Sequence, residues 1–176
     1  SHGWVAGWSG FNGLIYATVD GGAHWSLQRS AAPDLYSVDF ADATHGWAVG
    51  HNGTILATTD GGANWSSQTS GGTDALCSVE FTDAAHGWAV GCVRGSIIST
   101  SDGGAHWTTQ SSGRTDVLYA VHFVDATHGW AAGDNYLDGG RGEVLATTDG
   151  GAHWTLQHSG VQDGLSSGTF ADATHG

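Results

Sequence analysis

Four copies of a short acidic motif are the part of this sequence that could most readily carry chemistry. Each copy has the form Thr-x-Asp-x-Gly-x-x-Trp. A recurring carboxylate can bind a ligand, but it can also tie a tight turn by accepting backbone N–H groups, with glycine at positive φ and a large ring as the anchor. We predict the structural role for all eight acidic and aromatic members, which are Asp20, Trp25, Asp60, Trp65, Asp102, Trp107, Asp149 and Trp154.

Histidines recur beside these motifs and raise the question of a metal. They occupy one repeated turn and the position before three of the tryptophans: His2, His45, His86, His128 and His175, then His24, His106 and His153. Zinc needs three or four ligands within ~2.0–2.3 Å of the ion, whereas equivalent positions of successive repeats are spread around a ring. Turn capping explains the histidines better, and no cofactor is predicted.

A calcium site is the one metal hypothesis with a local ligand set. The stretch from Asp134 to Glu143 contains Asp134, Asn135 and Asp138, which together offer several oxygen ligands. Their spacing does not match the EF-hand loop. We therefore predict no metal site, with Asp134 and Asp138 as the candidates if calcium does bind.

The two cysteines of the chain are positioned for a disulfide. If a hairpin turns at residues 83–86, Thr82 faces Gly87, and counting outward places Cys77 opposite Cys92. Directly opposed strand residues lie ~4.5–5.5 Å apart at Cα, which a disulfide accepts. Two buried free thiols are the alternative. A bond would indicate an oxidising compartment, and the localisation predicted from it is extracytoplasmic.

Charge and composition exclude several functional classes. The formal net charge is −13, and only 12% of the residues are charged. Such a surface repels phosphate backbones and anionic lipid, so nucleic-acid partners and membrane-surface binding are disfavoured. No apolar run approaches the ~18 residues of a membrane span, and membrane insertion is not predicted either.

The secondary structure that positions these residues can be predicted from a sequence repeat. The motif tryptophans and those of a second recurring element, His-Gly-Trp, repeat with a period near 42 residues, made of short alternating segments separated by turns. This pattern predicts an all-β fold: a β-propeller of four-stranded antiparallel blades, four in this chain, as one domain over residues 1–176. In the second repeat, strands A to D are predicted at residues 35–41, 46–50, 54–59 and 64–69.

The chain ends predict how the propeller closes. The start of the chain supplies a strand B without a strand A, and the end supplies a strand A without a strand B. Counting from the turn pairs Phe40 with Trp47, and the same register would set Phe170 beside Trp4. We therefore predict a ring closed by the terminal strands in one shared blade, which removes exposed edges. A piece of a larger propeller and a half completed by another chain are the alternatives.

Sequence variation is concentrated in the B–C and D–A connections, which emerge on one face of an up-and-down blade. All four arginines fall in segments predicted for that face. The candidate binding residues there are Arg29, Arg94, Arg114, Tyr136 and Arg141.

The Thr-x-Asp-x-Gly-x-x-Trp motif resembles the Asp-box of bacterial-neuraminidase-type (BNR) repeats. The fuller unit of residues 38–50 and 53–65 looks like the photosystem II stability/assembly factor-like propellers. The resemblance covers essentially the whole chain and implies the propeller fold. It also implies about seven blades and roughly 300 residues, more than this chain contains.

Sialidase chemistry is the enzymatic reading that the Asp-box suggests. It needs an arginine triad, a tyrosine nucleophile paired with a glutamate, and an acidic aspartate. Here the arginines sit in variable loops, while Glu80 and Glu143 are predicted in strands. We predict that the protein is not an enzyme.

The function predicted from the sequence is therefore that of a non-catalytic extracytoplasmic propeller, which binds a protein partner or acts as a scaffold through its B–C and D–A loop face. One alternative is a structural repeat of a larger surface protein or filament, with self-association. The other is a lectin-like module in which Tyr136 or Trp8 stacks on a glycan. A role in photosystem assembly rests on the resemblance alone.

Overall fold

The computed structural model describes residues 1–31, 33–113, 117–135, 139–157, 160 and 163–173. These residues form fifteen β-strands and one short 3-10 helix, His51–Gly53. They contain no helix with the length and hydropathy needed to cross a membrane. The strands form four separate antiparallel sheets, one for each blade, so the all-β propeller with four blades is confirmed.

The blades follow one another along the chain, and each is a simple meander. The first has three strands: β1 (Gly3–Ser9), β2 (Asn12–Thr18) and β3 (Ser26–Ala31). The second has β4 (Leu35–Phe40), β5 (Gly46–Gly50), β6 (Thr54–Thr58) and β7 (Ser66–Thr69). The third has β8 (Leu76–Phe81), β9 (Gly87–Gly91), β10 (Ile97–Thr100) and β11 (Thr108–Gln110). The fourth has β12 (Val117–Phe123), β13 (Gly129–Asn135), β14 (Arg141–Thr147) and β15 (Thr155–Gln157).

The predicted strands of the second blade lie close to the observed ones. Strand B is identical, strands A and C end one residue earlier, and strand D begins two residues later. The late start of β7 has a local cause, because the Asp-box turn retains its residues up to Trp65. Strand ends are where tertiary contacts and turn chemistry most often override a sequence pattern.

The core consists of three apolar clusters, and each lies mainly between two neighbouring blades. Between the second and third blades, for example, Trp47 and Val49 pack with Leu76 and Phe81. Equivalent clusters centre on Ile15 and on the later pair Trp88 and Phe123. The blades are therefore held together by the apolar faces they bury against one another.

The pairing register differs from the prediction by one residue. Phe40 is opposite Gly46, and its ring leaves the sheet to stack on Trp4 of the preceding blade, with centroids 3.6 Å apart. A Cβ at Gly46 would overlap that ring, so this position needs glycine. The predicted pairing of Phe40 with Trp47 within one blade is therefore wrong.

The same geometry corrects the predicted closure. Phe170 stacks on Trp130 of the fourth blade at 3.7 Å, whereas Trp4 is covered by Phe40. None of the four sheets includes residues 163–171, and the first sheet has β1 at its edge. Among the described residues, the C-terminal segment thus continues the series of blades after the fourth and does not complete the first.

Candidate functional site

The Asp-box is a self-contained hydrogen-bonded turn. In the second blade the Thr58 hydroxyl donates to Asp60 Oδ1 at 2.8 Å and accepts the Gly62 amide at 3.0 Å. Asp60 Oδ1 also accepts the Asn64 amide at 2.8 Å. The other three boxes repeat this arrangement, with the carboxylates of Asp20, Asp102 and Asp149 accepting the amides of His24, His106 and His153.

These bonds favour the charged form of the carboxylates. The His24 amide, followed by its side chain and the Thr18 hydroxyl, lowers the pKa of Asp20 to about 2. The corresponding bonds lower the pKa of Asp102 and Asp149 to about 2 as well. A carboxylate held ionised by its own turn is poorly suited to donate a proton at neutral pH.

The boxes of the second, third and fourth blades also connect their blade to the preceding one. The Gly103 carbonyl of the third box accepts Trp47 Nε1 at 3.0 Å and Gln68 Nε2 at 2.9 Å, both from the second blade. Gln68 Oε1 in turn accepts Trp107 Nε1 at 3.2 Å. Sequence reasoning missed this glutamine, although a glutamine recurs at the same place in every repeat: Gln28, Gln68, Gln110 and Gln157.

Three of the repeated turn histidines, His45, His86 and His128, are held by the carboxylate that opens the turn. His45 Nδ1 lies 2.8 Å from Asp42 Oδ2, and the Thr44 and His45 amides donate to Asp42 Oδ1. The Thr44 hydroxyl also donates to Asp42 Oδ1. This bond, followed by those to the amides and to the His45 ring, holds the pKa of Asp42 well below its ordinary value. Within the part of the chain that the structure describes, no three His, Cys, Asp or Glu side chains form a metal-binding group.

Of the two calcium candidates, the structure describes only Asp134. Asp134 is the sixth residue of β13, and its Oδ1 accepts the Leu165 amide at 3.0 Å. Asp138 lies outside the described residues. The contact fixes the C-terminal segment against the fourth blade, which gives Asp134 a structural partner.

Cys77 and Cys92 are joined by a disulfide with a Cα–Cα distance of 5.6 Å. The predicted pair is therefore present, but the two residues are not directly opposed. A β-bulge at Cys77 shifts the register so that Leu76 faces Gly91, and the Cys92 amide donates to Ala75. The bulge recurs in the first strand of the second and fourth blades, where it was not evident from the sequence pattern.

The candidate arginines do not form one cluster in the described part of the chain. Arg29 is in β3, where its Nη1 donates to the Trp65 carbonyl at 3.1 Å across a blade junction. Arg94 is exposed in the loop after β9, and Arg141 is exposed at the start of β14. The other two candidates, Arg114 and Tyr136, lie outside the described residues.

Arg94 lines a cavity of about 400 Å³ between the second and third blades. Its walls come from the B–C and D–A loops of these blades and from the starts of their first strands, β4 and β8. They are Tyr36, His51, Asn52, Thr73, Asp74, Ala75, the disulfide, Val93 and Arg94. Among the described residues no carboxylate pairs with Arg94, and neighbouring Val93 is 60% exposed. The cavity thus combines an available guanidinium with apolar surface.

A second cavity of similar size, about 420 Å³, lies between the same blades on the Asp-box side. Its acidic residues, Asp60 and Asp102, have both carboxylate oxygens bonded within their own turns. Of the two cavities, the one at Arg94 has the greater capacity to bind a ligand.

A half-buried acidic network joins the first strands of the last three blades. Asp39 Oδ2 accepts the Phe81 amide at 2.7 Å, and Glu80 Oε1 lies 3.0 Å from His122 Nδ1. His122 Nε2 faces the Phe170 carbonyl at 3.0 Å, so that nitrogen carries a hydrogen and Nδ1 is the atom that meets Glu80. Burial raises the pKa of Glu80 to about 7, with His122 opposing the increase and the charge of Asp39 adding to it.

This network predicts an unusual pH dependence of stability. The folded chain binds the Glu80 proton more tightly than the unfolded chain, so its contribution is complete below the ordinary glutamate pKa of ~4.3. That contribution is lost as the pH rises through about 7. We expect the free energy of unfolding of the wild type to fall more steeply across this range than that of Glu80→Gln, measured by urea denaturation at a series of pH values.

Glu143→Gln is the matched control, because Glu143 is the other glutamate of the chain and accepts from Asn135 in the fourth blade. In Glu143→Gln the free energy of unfolding should fall with pH as steeply as in the wild type. Parallel curves for the wild type and Glu80→Gln would contradict the assignment.

Comparisons with known proteins agree with this geometry. The family model for the photosynthesis system II assembly factor YCF48 matches residues 29–77. A structure of YCF48 bound to D1 peptide has a TM-score of 0.69 at 22% identity, covering 96% of this chain and 55% of that one. YCF48 from Cyanidioschyzon merolae has a TM-score of 0.64 at 18% identity, covering 88% and 55%.

The propeller fold is also shared with enzymes. The GH74 xyloglucanase from Xanthomonas campestris has a TM-score of 0.64 at 16% identity, covering 85% of this chain and 28% of that one. No curated protein sequence matches the chain. This chain spans about half the length of the YCF48 structures and a smaller part of the enzyme.

The sheets and their Asp-box turns define a β-propeller of the BNR type. Among propellers of this class, the chain resembles the photosystem II assembly factor family represented by YCF48.

Proposed function

We propose that this chain is a non-catalytic propeller that binds a segment of a partner protein on its B–C and D–A loop face, at the cavity containing Arg94. The observation that carries the proposal is an exposed Arg94 guanidinium, which pairs with no carboxylate in the described part of the chain, beside exposed apolar surface in a chain of net charge −13. Arginine and aromatic residues are the side chains that most often dominate the energy of protein interfaces.

The surface next to the cavity extends this site. Trp8 is 58% exposed and meets Tyr36 edge to face, with centroids 5.6 Å apart. Tyr36 itself lines the cavity. A peptide that places a carboxylate on Arg94 could therefore lay an apolar side chain on Val93 or on the Trp8–Tyr36 pair, which fits the way YCF48 is described as bound to a peptide.

The positions of the glutamates support a non-catalytic role. Glycoside hydrolysis in most families uses two carboxyl groups that flank one glycosidic bond. Glu80 contacts His122 in the third and fourth blades, and Glu143 accepts from Asn135 within the fourth. The disulfide supports an extracytoplasmic location, because such bonds persist mainly in oxidising compartments.

The test selects ligands from a random peptide library on the intact chain and measures their affinity by calorimetry. We expect selected peptides to carry a carboxylate, and Arg94→Ala to weaken them by about 10–100-fold, the value of a hydrogen bond to a charged group. Arg141→Ala is the matched control, since Arg141 is also an exposed arginine but lies in the fourth blade. Equal effects of the two substitutions would refute the assignment of the site.

A carbohydrate ligand is the second candidate, favoured by the exposed Trp8 ring and by the fold shared with the GH74 xyloglucanase. It predicts that xyloglucan oligosaccharides quench tryptophan fluorescence in the wild type and not in Trp8→Ala. Saturable binding of this kind, without any selected peptide, would replace the first candidate by the second.

A further inference from the structure

The disulfide occupies a position that the other four-stranded blades fill with tyrosine. In each of these blades one bulged residue interrupts the first strand, and it is Tyr36 in β4, Cys77 in β8 and Tyr119 in β12. The second cysteine, Cys92, directly follows β9, where the second blade has His51 after β5. The chain has no other cysteines, so the covalent link belongs to the third blade and is not a requirement of the repeat.

The third blade is also the one whose B–C loop carries Arg94. This loop, which we call the Arg94 loop, comprises residues 92–96 between β9 and β10. It is fastened at both of its ends. At the start, Cys92 is joined to β8 by the disulfide, and at the end Ser96 Oγ donates to Asp74 Oδ2 at 2.6 Å.

The two residues between these fastenings point outward. Val93 is 60% exposed, and Arg94 is exposed as well. A surface loop with little buried area opens locally at a low cost in free energy, unless a bond restrains it. A cross-link limits such opening because it reduces the number of open conformations that the chain can reach. The disulfide therefore restricts where the Arg94 guanidinium can lie.

The disulfide forms part of the wall of the cavity that the loop borders. Cys77 and Cys92 are both half-buried, and both line the same space of about 400 Å³ as Arg94. A small dithiol that enters the empty cavity can reach the bond. A ligand that fills the cavity covers it. The bond that positions the loop is thus open to a reductant when the site is empty and shielded when the site is occupied.

We propose that the Cys77–Cys92 disulfide is a reversible switch that holds the Arg94 loop and thereby controls binding at its cavity, an inference that rests on the peptide-binding function proposed above. The reductant is a dithiol, whose thiolate attacks one cysteine sulfur, so that the S–S bond breaks and the other cysteine leaves as a thiolate. The second thiol of the reductant then closes an internal disulfide and releases the first cysteine. The net products are two cysteine thiols and one oxidised dithiol.

Reduction should weaken the binding of a peptide for an entropic reason. With the bond broken, only hydrogen bonds hold the Arg94 loop, and the guanidinium samples more positions. A ligand must then order the loop when it binds, and this ordering reduces the affinity.

Trypsin tests the loop without a ligand, because the chain contains four arginines and no lysine. The wild type is digested in its oxidised form and after reduction with dithiothreitol and desalting without oxygen, and the fragments are identified by mass spectrometry. We expect reduction to accelerate cleavage after Arg94 about tenfold or more, since cleavage follows the population of the open form. Cleavage after Arg29 and Arg141, in the first and fourth blades, is the internal control and should change much less.

Calorimetry tests the binding site with carboxylate peptides selected on the oxidised chain. We expect reduction to weaken these peptides about tenfold and reoxidation to restore their affinity. The coupling between two equilibria is reciprocal. A bound peptide should therefore shift the equilibrium in a dithiothreitol redox buffer toward the disulfide, as measured by titration of free thiols.

The variant Cys77→Ser/Cys92→Ser should show rapid cleavage after Arg94 and weak peptide binding, with or without dithiothreitol. Equal cleavage after Arg94 in the oxidised and reduced wild type, or the same acceleration after all three arginines, would overturn the proposal. Peptides that bind equally well to both forms would also overturn it and would leave the proposed binding site in place. Failure to select any peptide would instead refute the proposed function, whereas trypsin alone decides whether the disulfide holds the loop.

Discussion

Trp47→Ala should lower the free energy of unfolding by about 3–5 kcal/mol, the usual cost of removing a buried aromatic side chain. Trp47 is 2% exposed, stacks on Phe81 at 3.4 Å and donates Nε1 to the Gly103 carbonyl at 3.0 Å. The substitution therefore opens a cavity between the second and third blades and leaves the partly buried Gly103 carbonyl with a single donor, Gln68 Nε2. Urea denaturation followed by circular dichroism measures the change.

Two variants separate the contributions. Trp47→Phe keeps a stacked ring but removes the N–H donor. It should therefore lower the free energy of unfolding by less than Trp47→Ala does, with the lost hydrogen bond accounting for about 1 kcal/mol of the decrease. Trp8→Ala removes a tryptophan that is 58% exposed and should change stability much less. If Trp47→Ala and Trp8→Ala cost the same, the stacked pairs do not hold the blades together.

Removal of the disulfide should have the next largest effect, about 3 kcal/mol. Cys77 and Cys92 are 15 residues apart, and in the chain-entropy model closing a loop of that length in the unfolded state is worth about this amount. The double variant Cys77→Ser/Cys92→Ser should therefore unfold at a lower urea concentration than the wild type under oxidising conditions.

A reducing agent provides the control for this prediction. It should destabilise the wild type to the level of the double variant and leave the double variant unchanged. Two free thiols per chain, measured by titration of the unfolded, unreduced protein, would contradict the bond.

Local patterns in the sequence were sufficient to predict the strands and turns of the individual blades. The turn chemistry of the boxes and the alternation in the second repeat predicted β5 without error, and counting outward from the hairpin turn paired Cys77 with Cys92. These features depend on residues close in the chain, where spacing and propensity carry most of the information.

Contacts between repeats were harder to predict from the sequence. Counting from a hairpin turn cannot register a bulge at Cys77, and it cannot tell whether Phe40 meets Trp47 of its own blade or Trp4 of the preceding one. Every repeat has the same residues at these positions, so the sequence pattern is identical for both pairings. The separation of Arg29 from the other arginines escaped prediction for a related reason, because its partner is a backbone carbonyl 36 residues away.

At each blade junction a phenylalanine stacks on a tryptophan of the preceding blade and meets the Asp-box tryptophan of its own blade edge to face, as Phe81 does with Trp47 and Trp107. This arrangement has a consequence for how such a chain can change in length. Each unit of about 42 residues carries the phenylalanine that fits its predecessor and the tryptophan that receives its successor. Duplication of one unit within the gene therefore supplies both halves of an additional junction, without any new complementary surface having to arise. Blade number in such propellers can change by whole units while each individual interface stays the same.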